Sequence, residues 1–244
     1  MAYLKYKDLV KFLIEDEDQK IYLKELADYR KGDIRTYIKR GIFCVPALDE
    51  LDYILKQLDL TIEDLGLSEE TASMLDRGFI IPVWGSRLKP LFLINYSWLR
   101  DKSKKYINVY PAENREYIKK MKLYGAHNLK QGLIEDRMFV VEGAFDVLRL
   151  EQYGIPASCI LGTKTMPYHK HFYSRFTRVI FVSDEDGSGD AAYRQFKKDI
   201  PHAERLRITG RANDIDEFGG SNTREFQEWI EYAKTLGVKN RNLN

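Results

Sequence analysis

Met138-Phe139-Val140-Val141-Glu142-Gly143-Ala144-Phe145-Asp146 (residues 138–146) joins two patterns. An apolar run ends on an acid, a glycine lets the backbone turn, and a helical pattern begins. A short apolar run bounded by a turn signal reads as a buried strand. Ala144 to Tyr153 reads as a helix, and Gly154 stops it. The same rhythm then repeats. Ala157 to Leu161 is a strand, Tyr168 to Phe176 a helix after Pro167, and Arg178 to Ser183 a strand. Ala191 to Ile200 is a helix and Glu204 to Ile208 a strand. Strands alternating with helices in this order predict an α/β unit, a parallel sheet with helices on both faces. Thr223 to Leu236 is an amphipathic helical tail.

Functional groups in such sheets gather beyond the carboxyl ends of the strands. Glu142 stands there directly after its strand, and Asp146 lies four residues on, in the first helical turn. Asp184-Glu185-Asp186-Gly187-Ser188-Gly189 follows the strand 178–183, with glycines that permit a tight loop. Asn213-Asp214-Ile215-Asp216-Glu217 follows the last strand. A single Asp after a strand is usually a turn or cap residue, and Asp214 and Asp216 could simply begin a turn. Three clusters on successive strand ends point further. Carboxylates held together repel unless a cation or proton intervenes. Hard oxygen ligands with spare positions suit Mg²⁺ or Mn²⁺ together with substrate phosphates. Paired metals can activate a 3′-hydroxyl and stabilise a leaving pyrophosphate.

Outward from this unit the charge changes sign. The chain of 244 residues has a net charge of only +2. Residues 1–76 hold 11 Lys/Arg against 17 Asp/Glu, residues 77–131 hold 12 against 3, and residues 132–244 hold 16 against 17. A basic third in a near-neutral chain implies a polyanionic partner on one surface. That third contains Lys102, Lys104, Lys105 and Lys119, interleaved with nine aromatic residues. Cations track phosphates and rings stack bases, so the segment suits single-stranded nucleic acid. Phe79, Trp84 and Phe92 are expected to fill a small β core, while Tyr96, Trp98 and Tyr110 are open to either role. Phe79 to Trp84 and Leu88 to Tyr96 read as strands, with Gly85-Ser86 between them as a turn. The acidic first third reads as helical over Tyr6–Leu13, Ile21–Tyr29 and Leu48–Leu58, with Thr61 and Ser68 as caps of two further short helices.

Other chemistries are disfavoured. Cys44 and Cys159 form no CxxC pair, and His127, His169, His171 and His202 make no zinc spacing with them. The cysteines read as buried thiols. His127 reads as structural, and His169 and His171 on one helix are a poor metal pair. Thr163-Lys164-Thr165 could hold a phosphate or cap the following helix. No apolar run is long enough to span a bilayer, so a cytoplasmic protein is expected.

These motifs together resemble the Toprim domain of bacterial and phage-type DNA primases. The resemblance rests on Val140-Val141-Glu142-Gly143-Ala144-Phe145-Asp146, Leu161-Gly162-Thr163-Lys164-Thr165, Asp184-Glu185-Asp186-Gly187-Ser188-Gly189-Asp190-Ala191-Ala192 and Asp214-Ile215-Asp216-Glu217-Phe218. Upstream, Lys105-Tyr106-Ile107-Asn108 and Leu123-Tyr124-Gly125 resemble segments of the primase basic subdomain. The likeness covers about residues 58–220. Two features depart from it: the loop before Ala191-Ala192 is one residue short and ends on Asp190, and a Gly-Gly-Arg segment near Asn95-Tyr96-Ser97 is absent.

The resemblance implies a metal site of Glu142, Asp184, Asp186, Asp214 and Asp216, with Glu142, Asp146, Asp184 and Asp186 serving catalysis. Glu142 stands either as a ligand or as a group that handles protons. Lys105, Asn108 and Lys119 would contact template or nucleotide phosphates. The expected architecture is a Toprim parallel sheet flanked by helices (136–220), a basic mixed α+β subdomain (77–135), an N-terminal helical region (1–76) and a helical tail (221–244). The expected function is DNA-templated synthesis of short RNA primers from NTPs, with single-stranded DNA, a replicative helicase and a separate zinc-bearing module as partners. A Toprim nuclease and a non-catalytic replisome adaptor or inhibitor are the competing expectations.

Overall fold

Apolar residues at helical spacing build the first part of the chain. The computed structural model describes residues 5–85, 90–101, 105–162, 164–183, 187–208, 212, 214–221 and 223–236. Helices α1 (Tyr6–Glu15), α2 (Glu17–Arg30) and α3 (Ile34–Arg40) lead to strand β1 (Phe43–Val45) and helix α4 (Leu48–Gln57). Leu51, Ile54 and Leu55 form the buried stripe of α4. The short helix that Thr61 was expected to cap is a single 3₁₀ turn, Glu63–Leu65. Thr61 Oγ1 does accept the Asp64 N–H at 3.3 Å, and Gly66 in the left-handed region then ends the turn. Ser68 caps the four-residue α5 (Glu69–Ala72).

Strands β2 (Gly78–Trp84), β3 (Pro90–Tyr96) and β4 (Tyr106–Val109) follow, then α6 (Arg115–Lys119). The four strands make an antiparallel sheet in the order β1-β2-β3-β4. Gly78 is required there, because a Cβ would lie 1.7 Å from Asn95 Oδ1. Gln19 of α2 binds both the N–H (2.8 Å) and the carbonyl (3.0 Å) of Cys44, which satisfies the open edge of β1.

The second part alternates. It comprises β5 (Leu123–Tyr124), α7 (Leu129–Glu135), β6 (Arg137–Val141), α8 (Ala144–Gln152), β7 (Ala157–Ile160) and α9 (Pro167–Tyr173). Next come β8 (Arg178–Ser183), α10 (Gly187–Asp199), β9 (Ala203–Arg207), α11 (Ile215–Gly220) and α12 (Arg224–Thr235). The sheet order is β5-β7-β6-β8-β9; β7, β6, β8 and β9 run parallel, and β5 is an antiparallel edge. This is the α/β architecture expected from the alternation. One face carries Met138, Val140, Val179 and Phe181 against Phe172, Tyr173 and Phe176 from α9 and its end and Phe196 of α10. Around Phe218, edge-on rings join α8, α11 and α12: Phe218 meets Phe226 at 5.1 Å, and Phe226 meets Tyr153 at 5.3 Å. Both cysteines are buried free thiols, and burial pushes the Cys44 thiol up to about 12. Among the described residues, no helix is long and apolar enough to cross a membrane.

The chain divides into two compact units, one within Met1–Tyr29 and Asp33–Lys120, the other within Arg30–Gly32 and Met121–Asn244. The boundaries drawn from charge mark changes of composition. These mark where packing is sparse.

Candidate functional site

The strand order sets the position of the site. From β6 the chain moves to β7 on one side, then crosses to β8 on the other, so the order reverses at the β6/β8 pair. Such a reversal opens a crevice outside the carboxyl ends of the two strands. Glu142 follows β6 there and is exposed, while β6 itself is buried. Asp184 and Asp186 follow Ser183, the last residue of β8, and lie outside the described residues.

Asp146 is only 4% exposed. Its Oδ2 accepts the Gly143 N–H at 2.8 Å, closing the first turn of α8, and its Oδ1 accepts the Asp216 N–H at 2.9 Å. Burial, with Asp214 and Asp216 nearby, holds its carboxyl well above the usual carboxylate range. Asp146 therefore ties the start of α8 to the start of α11. Asp214 is the N-cap of α11 and accepts the Glu217 N–H at 2.7 Å. Glu142, Asp146 and Asp214 line one small pocket with Ser183 and Ile208. Asp216, an expected ligand, is 5% exposed and meets two guanidinium groups. Arg30 lies 2.7 Å from its Oδ2 and Arg149 lies 3.0 Å from its Oδ1. Burial raises its carboxyl and the two arginines oppose that rise. Among the described residues, no group of three His, Cys, Asp or Glu side chains is arranged to hold a metal ion.

Sequence reading missed Arg30 and Arg149. Arg149 had a signal, being the one charged residue between Val147 and Leu150 on a helix buried on nearly every side. Nothing local ties Arg30 to Asp216. Asp190, which departs from the primase pattern, pairs with Arg205 and Arg207 of β9, which hold its carboxyl below the usual range. Glu142 also lines a cavity of about 420 Å³ with Lys164, Thr165 and Gln195. The Thr165 hydroxyl donates to Asp199 at 2.5 Å. His127 is tied to Glu151 at 2.6 Å inside the fold.

The expected nucleic-acid residues belong to the other unit. Lys102 and Lys104 lie outside the described residues. Lys105 precedes β4, and Asn108 lies on it. Lys119 ends α6, 2.6 Å from Glu116. Tyr96 and Tyr110, left open by sequence, are buried with Phe79, Trp84 and Phe92. Trp98 stacks between Phe79 (5.0 Å) and Tyr29 (4.9 Å). Tyr106 and Tyr117 remain exposed, at 47% and 66%.

With this geometry in hand, known proteins give a consistent picture. The family profile described as Toprim-like matches residues 139–219. The DNA primase of Legionella pneumophila is 36% identical over 107 residues, which are 42% of this chain and 18% of that protein. The chain thus spans only a small part of that relative's length. Among solved structures, the Aquifex aeolicus primase, comprising zinc-binding and RNA polymerase domains, aligns with a TM-score of 0.68 and 25% identity over 93% of this chain and 59% of that one. The RNA polymerase domain of Mycobacterium tuberculosis primase, in complex with double-stranded DNA, aligns with a TM-score of 0.69 at 17% identity over 96% of this chain and 77% of that one. The chain has the fold of a bacterial DNA primase catalytic core.

Proposed function

We propose that this chain is the catalytic core of a DNA primase, making short RNA primers on single-stranded DNA from NTPs with Mg²⁺ or Mn²⁺. The observation that carries the reading is the acidic edge at the β6/β8 reversal, where Glu142 and Asp214 line one pocket over the buried Asp146. The donor set is all carboxylate, which suits a hard divalent cation. Glu142, Asp184, Asp186 and Asp214 would hold it. When bound, such a cation activates a 3′-hydroxyl and neutralises a triphosphate. Asp146 keeps the starts of α8 and α11, which carry Glu142 and Asp214 at their edge, in register. Lys105, Asn108 and Lys119, with Lys102 and Lys104, bind template and nucleotide phosphates, and Tyr106 and Tyr117 offer exposed rings to bases. A replicative helicase and a separate zinc-bearing module are the expected partners, in the cytoplasm.

The test is incubation with single-stranded DNA, labelled NTPs and Mg²⁺ or Mn²⁺, with and without a helicase. Template-dependent synthesis of short RNA is expected. Nicking of DNA without RNA synthesis would assign the same acids to a nuclease that uses water as nucleophile, and would overturn the reading.

A further inference from the structure

We propose that Asp216 serves the acidic edge from behind rather than as a metal ligand, and that Arg30 and Arg149 are positioning residues acting through it. The proposal rests on the metal-site reading given above and deepens it. A carboxylate that ligates a cation needs a lone pair directed at open space. Asp216 is nearly enclosed, with one oxygen on Arg30 at 2.7 Å and the other on Arg149 at 3.0 Å. A divalent cation brought to either oxygen would lie against two positive groups.

The clamp is built from several directions. Arg149 donates to the carbonyls of Arg30 and Lys31, each at 2.7 Å, where α2 ends and carbonyls lack helical partners. Arg30 covers the Phe145 ring at 4.3 Å, one residue before Asp146. Gly219 makes room for this arrangement, since a Cβ there would lie 2.4 Å from Arg149 Cδ. The product of the clamp is a fixed peptide: the Asp216 N–H is held where Asp146 Oδ1 accepts it at 2.9 Å. Asp214, two residues earlier, is the N-cap of the same helix. One buried and one half-buried guanidinium also offset the crowding of Asp146, Asp214 and Asp216, which would otherwise repel.

Mn²⁺ titration by calorimetry separates the two roles by the sign of one effect. If Asp216 were a ligand, Arg30→Met would release an oxygen and strengthen Mn²⁺ binding. If Arg30 positions the edge, Arg30→Met weakens Mn²⁺ binding by about 10-fold, the scale for residues that support ligands. Asp216→Asn is then expected to cost a similar amount, and the double variant little more than either alone. Arg30→Lys, which keeps the charge, is expected to recover part of the loss. It also serves as the readout if Arg30→Met does not fold by circular dichroism. Tighter Mn²⁺ binding in Arg30→Met or Arg30→Lys, or costs that simply multiply in the double variant, overturns the proposal while the metal site stands. Wild-type protein that binds no Mn²⁺ overturns the metal site itself, and the positioning role with it.

Discussion

Gly219 shows how a residue without a side chain can carry information. Its hydrogen faces Arg149, and no other residue leaves the guanidinium stem its space. Gly219→Ala is expected to destabilise by roughly 1–3 kcal/mol, the usual cost of forcing extra atoms into a packed site. Urea denaturation reads this directly, and a midpoint equal to wild type would show that Arg149 moves aside freely. At this scale the acids were legible and their division of labour was not. Glu142, Asp146, Asp214 and Asp216 are all found at strand or helix ends. Sequence could not tell that Asp146 accepts two backbone N–H groups or that Asp216 meets two arginines, because those partners come from other segments of the chain.

Elements with a strong period were legible; most elements of a few residues were not, the Ser68-capped α5 excepted. The β6 to β9 alternation was read almost to its bounds, since each strand is an apolar run closed by a turn signal. β1, with three residues, is too short to show alternation, and β4 lay hidden in a basic stretch. The short α6 and α7 and the two-residue β5 went unseen for the same reason. Helix α9 was seen, but the work of His169 on it was not. Fully buried, His169 accepts the Met166 N–H on Nδ1 at 3.1 Å, and burial lowers its imidazole to about 4. The folded state therefore prefers neutral His169 more than the unfolded chain does. Stability from this group is fully present above about pH 6.5 and is lost as pH falls toward 4, by up to ~3 kcal/mol. Urea midpoints measured from pH 7 to 4 should show a smaller fall in His169→Gln than in wild type. Equal falls would mean that this histidine does not govern the slope.

For the whole molecule, the charge pattern assigned two tasks to two regions: cations for a strand, acids for chemistry. Lys105→Ala and Lys119→Ala should weaken single-stranded DNA binding at low salt and flatten its salt dependence, by roughly 0.7 log units per log salt for each phosphate that is no longer neutralised. Glu142→Ala should abolish synthesis and leave DNA affinity nearly intact. Fluorescence anisotropy with a labelled oligonucleotide across a salt series checks both, and equal weakening of binding in all three variants would show that no such division exists. Residues 30–32 group with the second unit although the chain on either side of them groups with the first. Seen as a problem of dissection, this makes the Toprim-like half discontinuous in sequence: its smaller piece is a tripeptide. A fragment starting at Met121 would omit part of its own interior, leaving Asp216 one guanidinium short and Arg149 without two of its acceptors. Any excision, circular permutation or domain graft that treats residues 121–236 as a self-sufficient module would begin from an incomplete fold.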